Sequence, residues 1–452
     1  VDLSEPDPRL NRRQRWLIAA FLAGFVAFGA LVELRSAFLS RRMGDVGVYL
    51  RAGWAVRSGA DPYKITDDNG WHYNYPPLFA ILLAPLADPP HGVELAGAVP
   101  FPVSVAVFYA ISVLSLFAGV HALAGALESR SAFASVSGGP RFGVRWWRLR
   151  LVPILLCLPP IGHTLMRGQV NVLLLALVCA FAAELLRDHS RRAGWYLAGA
   201  ICLKVFPAYL LLYPLWRRNY RCLVSCALGL VVGIVVVPVA VMGPGRTADS
   251  YRSLTRGLLL PALGGSGDHS RDDEIIWPTR NDSQSIECVI HKTMHPDPFT
   301  RPDAVDPIAR KIHRGLAVVL TGLTLAAARW RRPESGAATC VLVGALSVLM
   351  VVLTPVCHIH YFCLSLPLVA GLLAADRELR GSARPGWPVL VVLALVTAGN
   401  VLPLLPHLEI LRDVGIALYA ELLLWLFGCV TLRQLTAPKA AVPSARQWPV
   451  AA

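Results

Sequence analysis

Long apolar runs alternate with short arginine-bearing segments along almost the whole chain. The first run, Trp16–Leu39, follows a tail carrying Arg9, Arg12, Arg13 and Arg15. A helix needs ~17–25 apolar residues to cross a hydrocarbon core of ~30 Å. Basic flanks stay on the cytoplasmic side. Residues 1–15 are therefore expected inside, and the loop 40–94 outside. Two apolar pieces of that loop, Val46–Ser58 and Leu78–Leu86, are too short to span and predict interfacial helices. Pro76-Pro77 suits the start of the second, because proline fits the first helical turn.

Leu95–Leu127 returns to an inner loop with Arg130, Arg141, Arg145, Arg148 and Arg150. Leu151–Leu158, interrupted by Pro153 and followed by Pro159 and Pro160, goes out as a broken span. The turn His163–Gln169 leads into Val170–Leu186, which comes back to Arg187, Arg191 and Arg192. Trp195–Trp216 has basic residues at both ends and is interrupted by Lys204 and Pro207. It predicts a re-entrant hairpin that enters and leaves on the inner side. Leu223–Val241 goes out to the longest polar segment, 243–312. Leu316–Ala328, Thr339–Leu353, Phe362–Ala375, Val389–Leu405 and Ile416–Leu432 complete the set. The expectation is an all-α polytopic membrane protein of roughly ten spans, with its membrane domain over 16–432 and inner tails at 1–15 and 433–452.

Composition agrees with that pattern. The 452 residues are 55% hydrophobic and 16% charged, against about 25% charged in soluble proteins. The net charge of +14 comes from arginines spaced between apolar runs. That spacing fits topology rather than a nucleic-acid face. Eight of the ten cysteines lie inside apolar runs; only Cys288 and Cys357 fall near polar loops, so no disulfide framework is expected. The N-terminal run lacks a small-residue cleavage site and reads as a retained span.

The topology gathers the polar residues on one outer face: Asp45, His163, Arg167, the 243–312 loop and the pair His358/His360. Ionisable groups beside a bilayer are costly and are functional candidates. Asp45 is either a helix cap or a general base, partly desolvated by its position between a span and an interfacial helix. His358 and His360 are ordinary interfacial histidines, metal ligands lacking a third partner, or supports for a phosphate. Arg167 and Gln169 sit on a glycine turn entering a helix, which offers N–H groups and a cation to an anion; the alternative is a snorkelling arginine. Lys204 is expected near mid-membrane, far from the outer face, as a structural or gating group. The 243–312 loop adds Asp268, His269, Asp272, Asp273, Glu274 and Asn281–Ser285, with no zinc spacing. No phosphate-binding loop and no dinucleotide fingerprint occurs, so any sugar donor would be a lipid-borne one.

Four blocks together resemble glycosyltransferase family 87: Gly44-Asp45-Val46-Gly47-Val48-Tyr49, Gly59-Ala60-Asp61-Pro62-Tyr63, Tyr73-Asn74-Tyr75-Pro76-Pro77-Leu78 and Gly168-Gln169-Val170-Asn171. The resemblance extends over about residues 16–432. It implies a GT-C fold like that of the PimE-like polyprenol-phosphate-mannose-dependent alpha-mannosyltransferases, in a bacterial plasma membrane. It also implies an inverting sugar transfer, mannose by the resemblance, on the extracytoplasmic side. Asp45 would be the base and His358 or His360 the support before a late span. Arg167, Gln169, Tyr49 and Tyr75 are the further candidates for donor-phosphate or substrate binding. The partners implied are a polyprenyl-phosphate sugar donor, a glycolipid or glycan acceptor and the lipid bilayer; no cofactor, metal or nucleic acid is expected. The late run Thr354-Pro355-Val356-Cys357-His358 departs from the family's Ser-Pro-x-Ser-Trp-x-His type, and the 243–312 loop is unusually long. A flippase or transporter of a lipid-linked sugar is the alternative function. It would need polar groups through the bilayer depth. A metal-dependent relative using the histidine pair and loop acids is a weaker one.

Overall fold

A computed structural model describes residues 9–39, 44–130, 142–262, 267–271, 274, 283–329, 335–382 and 385–437. Asp272, Asp273, Asn281 and Asp282, singled out in the long loop, lie outside the described residues. Among the described residues there is no strand, only one isolated bridge between Thr66 and His72.

α1 (Arg12–Glu33) is started by a capping box: Asn11 accepts from the Gln14 amide and Gln14 answers to the Asn11 amide. It continues through a π turn to Leu39. α2 (Asp45–Ser58) ends on Gly59 in the left-handed conformation, and α3 (Pro77–Leu83) begins on its proline. Both helices expected in the loop 40–94 therefore form, and α2 is largely enclosed by protein. Ten of its 14 residues are buried in protein. Its Arg51 is pinned inside by Asp68 at 2.7 Å and by the Asp88 carbonyl at 3.1 Å. Folded-over loop residues sheathe the helix, which a hydropathy pattern does not register.

α4 (Phe101–Arg130) packs along α7 (Asn171–Leu186). Between them α5 (Val144–Leu156) and α6 (Leu158–Arg167) form the broken span, bent by 66° at Cys157. Proline within α5 and prolines opening α6 remove the amides that would carry the helix through. α8 (Ser190–Leu203) runs inward against α7 and α10 (Tyr220–Leu230). The chain then turns through a 3-10 segment, Phe206–Leu211, and α9 (Leu212–Trp216). Asn219 Nδ2 donates to Ser190 Oγ at 2.9 Å, so this excursion starts and finishes in one place, with Lys204 at its tip.

Among the described residues six helices are long and apolar enough to cross a membrane, or seven counting the bent pair as one span. The expectation of roughly ten spans is not met by this measure. Asn171–Leu186 and Gly336–Val352 are apolar but only 16 and 17 residues long, and Pro307–Ala327 carries a polar first half. Gly336–Val352 is enclosed almost completely by protein, so its apolarity reflects a core position.

The described parts of the long segment 243–312 form a strap. At one end Arg246 donates to the Val56 carbonyl at 3.0 Å, Ser253 to Asp61 at 2.7 Å, and Glu274 meets His72 Nδ1 at 2.6 Å. At the other end Ser285 Oγ donates to the Pro355 carbonyl at 2.8 Å and Cys357 N–H to Ser283 Oγ at 3.2 Å. Arg301 grips Asp413 with two bonds of 2.9 Å, and Lys292 stands 3.6 Å from the same carboxylate. The strap thus ties the loop 40–94 to the segment that leads into His358.

Candidate active site

Two glycines bring the two halves of the site together. Gly44 (φ 93°) would place a Cβ 2.4 Å from the Arg167 carbonyl oxygen, and Gly168 (φ 65°) would place one 2.7 Å from Val46 Cβ. Only glycine accepts both the positive φ and the contact. The start of α2 is therefore pressed against the α6–α7 turn. This puts Asp45, at the first position of α2, opposite Arg167 and Gln169.

Gly44, not Asp45, is the N-cap residue, and no side chain caps the helix. The cap reading of Asp45 is thereby replaced. The side chain stays 32% exposed, with Arg167 Nε 3.8 Å from Oδ2. Oδ2 itself is shut off from solvent and accepts no hydrogen bond. Burial raises the Asp45 pKa above the usual carboxylate value. Arg167, a hydrogen bond from Gln169 and the charge of Lys204 oppose that rise without cancelling it.

Behind the carboxylate stands a buried polar triangle. Tyr49 Oη lies 2.9 Å from Tyr75 Oη and 3.1 Å from Gln169 Oε1, and Tyr75 Oη lies 3.3 Å from the same Gln169 oxygen. The two rings meet edge to face at 5.0 Å. Burial pushes both phenols well above their usual range, so both keep their protons.

Lys204 is the residue the sequence placed wrongly. The hairpin tip carries it up to the site, where its charge acts on Asp45. Its Nζ donates to Asn171 Oδ1 at 3.3 Å and sits 4.0 Å from the Tyr361 ring centroid, with Tyr75 and Phe206 at 5.2 and 5.1 Å. The amine thus stands among three aromatic faces. Nothing in the local sequence gives the depth of a hairpin tip; the only available signal was an ionisable residue in an apolar run.

The histidines arrive on the 3-10 segment Ile359–Ser365 and on α6. His358 and His360 stack at 5.3 Å with a 15° interplanar angle, and His163 meets His360 edge-on at 5.5 Å. His360 is buried, and neither ring nitrogen has a hydrogen-bond partner. Arg167, Lys204, His163 and His358 all act electrostatically on its ring. Thr164 Oγ1 donates to the His360 carbonyl at 2.8 Å, fixing the segment against α6. Among the described residues, no group of three or more His, Cys, Asp or Glu side chains is arranged to hold a metal.

A narrow crevice beside Gln169 is lined by Val32, Ser36, Val105, Phe108 and Leu165. It lies between the end of α1, α4 and the α6–α7 turn. All seven residues nominated from the sequence thus fall in one region: Asp45, Tyr49, Tyr75, Arg167, Gln169, His358 and His360. The strap residues Asp268 and Glu274 remain apart from it, on the first outer loop side.

Comparison with known proteins follows the same lines. The sequence model of glycosyltransferase family 87 matches residues 73–355. That stretch contains Tyr75, Arg167, Gln169 and Lys204; Asp45 precedes it, and His358 and His360 directly follow it. The chain is 29% identical over 247 residues to the polyprenol-phosphate-mannose-dependent alpha-(1-2)-phosphatidylinositol mannoside mannosyltransferase of Mycobacterium tuberculosis. The match spans about half of either protein, 51% of this chain and 54% of the relative. Among solved structures, ArnT from Cupriavidus metallidurans bound to undecaprenyl phosphate aligns over 92% of this chain and 77% of its own, at 18% identity and a TM-score of 0.37. Its apo form aligns over 93% and 77%, at 16% identity and 0.38.

Proposed function

Since the chain belongs to glycosyltransferase family 87, we propose that it transfers mannose from a polyprenyl-phosphate donor to a hydroxyl of a glycolipid acceptor. The fold would be of the GT-C type and the reaction would run at the extracytoplasmic surface of a bacterial plasma membrane. The observation that carries this reading is the Asp45 Oδ2 atom: buried, free of hydrogen bonds, and flanked by Arg167 and Lys204.

The chemistry follows from that arrangement. An acceptor hydroxyl attacks the anomeric carbon on the face opposite the phosphate. Asp45 takes its proton as the new C–O bond forms and the bond to phosphate breaks, so the anomeric configuration inverts. The polyprenyl phosphate leaves with the bonding electron pair. Arg167 and Lys204 meet the charge that collects on it, and His358 and His360 line the same space. Preorganised groups of this kind are worth ~3–4 kcal/mol each in a dry site. The M. tuberculosis relative is named for a phosphatidylinositol mannoside acceptor, which makes that glycolipid the first to try.

The test uses the purified full chain in detergent with radiolabelled polyprenol-phosphate-mannose and phosphatidylinositol mannosides. A new mannolipid is expected. Its absence, with donor carried across vesicle membranes instead, would favour a transporter. Asp45→Asn is expected to lose at least about a hundredfold in turnover at normal expression; full activity would remove Asp45 from the mechanism.

A further inference from the structure

We propose that Asn171 is a positioning residue for Lys204: its side-chain oxygen takes one N–H of the lysine and so aims the other two at the leaving phosphate. The proposal rests on the leaving-group role given to Lys204 above.

Lys204 stands at a break in the chain. α8 ends there, and the lysine backbone is extended (φ −154°, ψ 136°) before a 3-10 segment begins at Phe206. The rings of Tyr361, Tyr75 and Phe206 surround Nζ at 4.0, 5.2 and 5.1 Å. A ring face attracts the nitrogen through its quadrupole, which sets a distance but not the directions of the N–H bonds. Direction comes from the one side-chain hydrogen bond that Lys204 makes among the described residues, to Asn171 Oδ1 at 3.3 Å. In its protonated form a lysine has three N–H bonds and no acceptor. One goes to Asn171, and two remain for phosphate oxygens.

Asn171 is a fixed point. It is the first residue of α7, it is completely buried, and 12 of the helix's 16 residues are buried. It follows the Gly168 turn, where the Val46 side chain occupies the space of a Cβ. Helix capping does not explain it: Val170 takes that position, and no side chain caps α7. Stability does not explain it either. With Oδ1 facing the lysine, Nδ2 turns the other way, where it is shut off from solvent without a hydrogen-bond partner. An unsatisfied buried donor destabilises a fold, and an apolar residue would avoid it. The contact with Lys204 is the use that the side chain has. One turn therefore sets both cations that meet the phosphate: Arg167 belongs to it, and Lys204 is held from it.

The leaving species is itself the probe. Decaprenyl phosphate is titrated into the purified full chain in detergent, and its Kd is measured for the unaltered protein, Asn171→Leu, Lys204→Met and the double variant. Asn171→Leu keeps roughly the volume and removes the acceptor. Alone it is expected to weaken binding about tenfold, the worth of a hydrogen bond to a charged group. In the Lys204→Met background it should weaken binding less than about twofold, because the two side chains act as a unit. A merely structural role would not vanish with the lysine. Asn171→Ala replaces the leucine variant if that one does not fold. An unchanged Kd on substitution of Asn171, or a loss as large in the Lys204→Met background as without it, overturns the proposal. The failures are distinguishable. No binding by the unaltered protein ends the polyprenyl-phosphate reading and this inference with it. An unchanged Kd in Lys204→Met ends the role of that lysine, and with it the role of Asn171. Additive losses end only this inference.

Discussion

At the scale of the residue, Asp45 combines two demands that oppose each other. As a base it must be ionised, yet burial works against its charge. Its folded pKa lies above the value in the unfolded chain. Below the unfolded pKa both states hold the proton, and stability is fully present. As pH rises through the folded pKa, stability is lost, because the folded site must then carry an under-solvated charge. Asp45→Asn removes that burden. The variant is therefore expected to unfold at an unchanged or higher temperature at neutral pH while it loses activity; a lowered unfolding temperature would speak against a strained carboxylate. The same rise sets the pH dependence of the reaction. Protonated Asp45 cannot accept a proton, so kcat/KM should fall with falling pH at a midpoint above the ordinary carboxylate range, measurable in a pH–rate series. The place of Asp45 beside Arg167 and Gln169 was legible in the sequence, because an acid just beyond an apolar run is conspicuous. The role of Lys204 was not. Its partners Asn171, Tyr75, Phe206 and Tyr361 come from four separate segments, and no local pattern encodes their meeting.

At the scale of the element, the strap and the hairpin decide where the side chains stand. Arg301 and Lys292 are both 2% exposed and share one carboxylate, Asp413. The hydrogen bonds from Arg301 hold Asp413 below the usual carboxylate range. That contribution is present above the unfolded pKa and fades as pH falls through the depressed one. Asp413→Ala would remove the carboxylate that the two buried cations share. The expected cost is about 2 kcal/mol, less than the ~3–5 of a fully buried pair, because Asp413 is itself 36% exposed. Denaturation in detergent checks it, and an unchanged midpoint would show the pair to be idle. The hairpin was readable from its doubly basic ends, and the bond between Ser190 and Asn219 closes it as that pattern requires. The helix count was less readable. A 17-residue run such as Gly336–Val352 looks alike whether it crosses lipid or fills a protein core.

At the scale of the whole molecule, the proposed reaction depends on which surface faces outward. All ten cysteines are buried, so the protein offers a quiet background for thiol labelling. Phe299, in the strap, is 97% exposed, and Arg192 at the foot of the hairpin keeps 72% of its side chain exposed. Phe299→Cys is expected to react with an impermeant maleimide in intact cells. Arg192→Cys should react only after permeabilisation, and the opposite result would invert the topology. The glycine contact between Gly44 and Gly168 has a consequence for biogenesis. Tyr49 and Gln169 are 120 positions apart, and His360 emerges far later still. A ribosome-bound chain halted before α6 would hold its carboxylate without Arg167, Gln169, Lys204 or the histidines. Competence for the reaction is thus acquired only near the close of synthesis, when the last third of the protein has entered the bilayer and folded back upon the first.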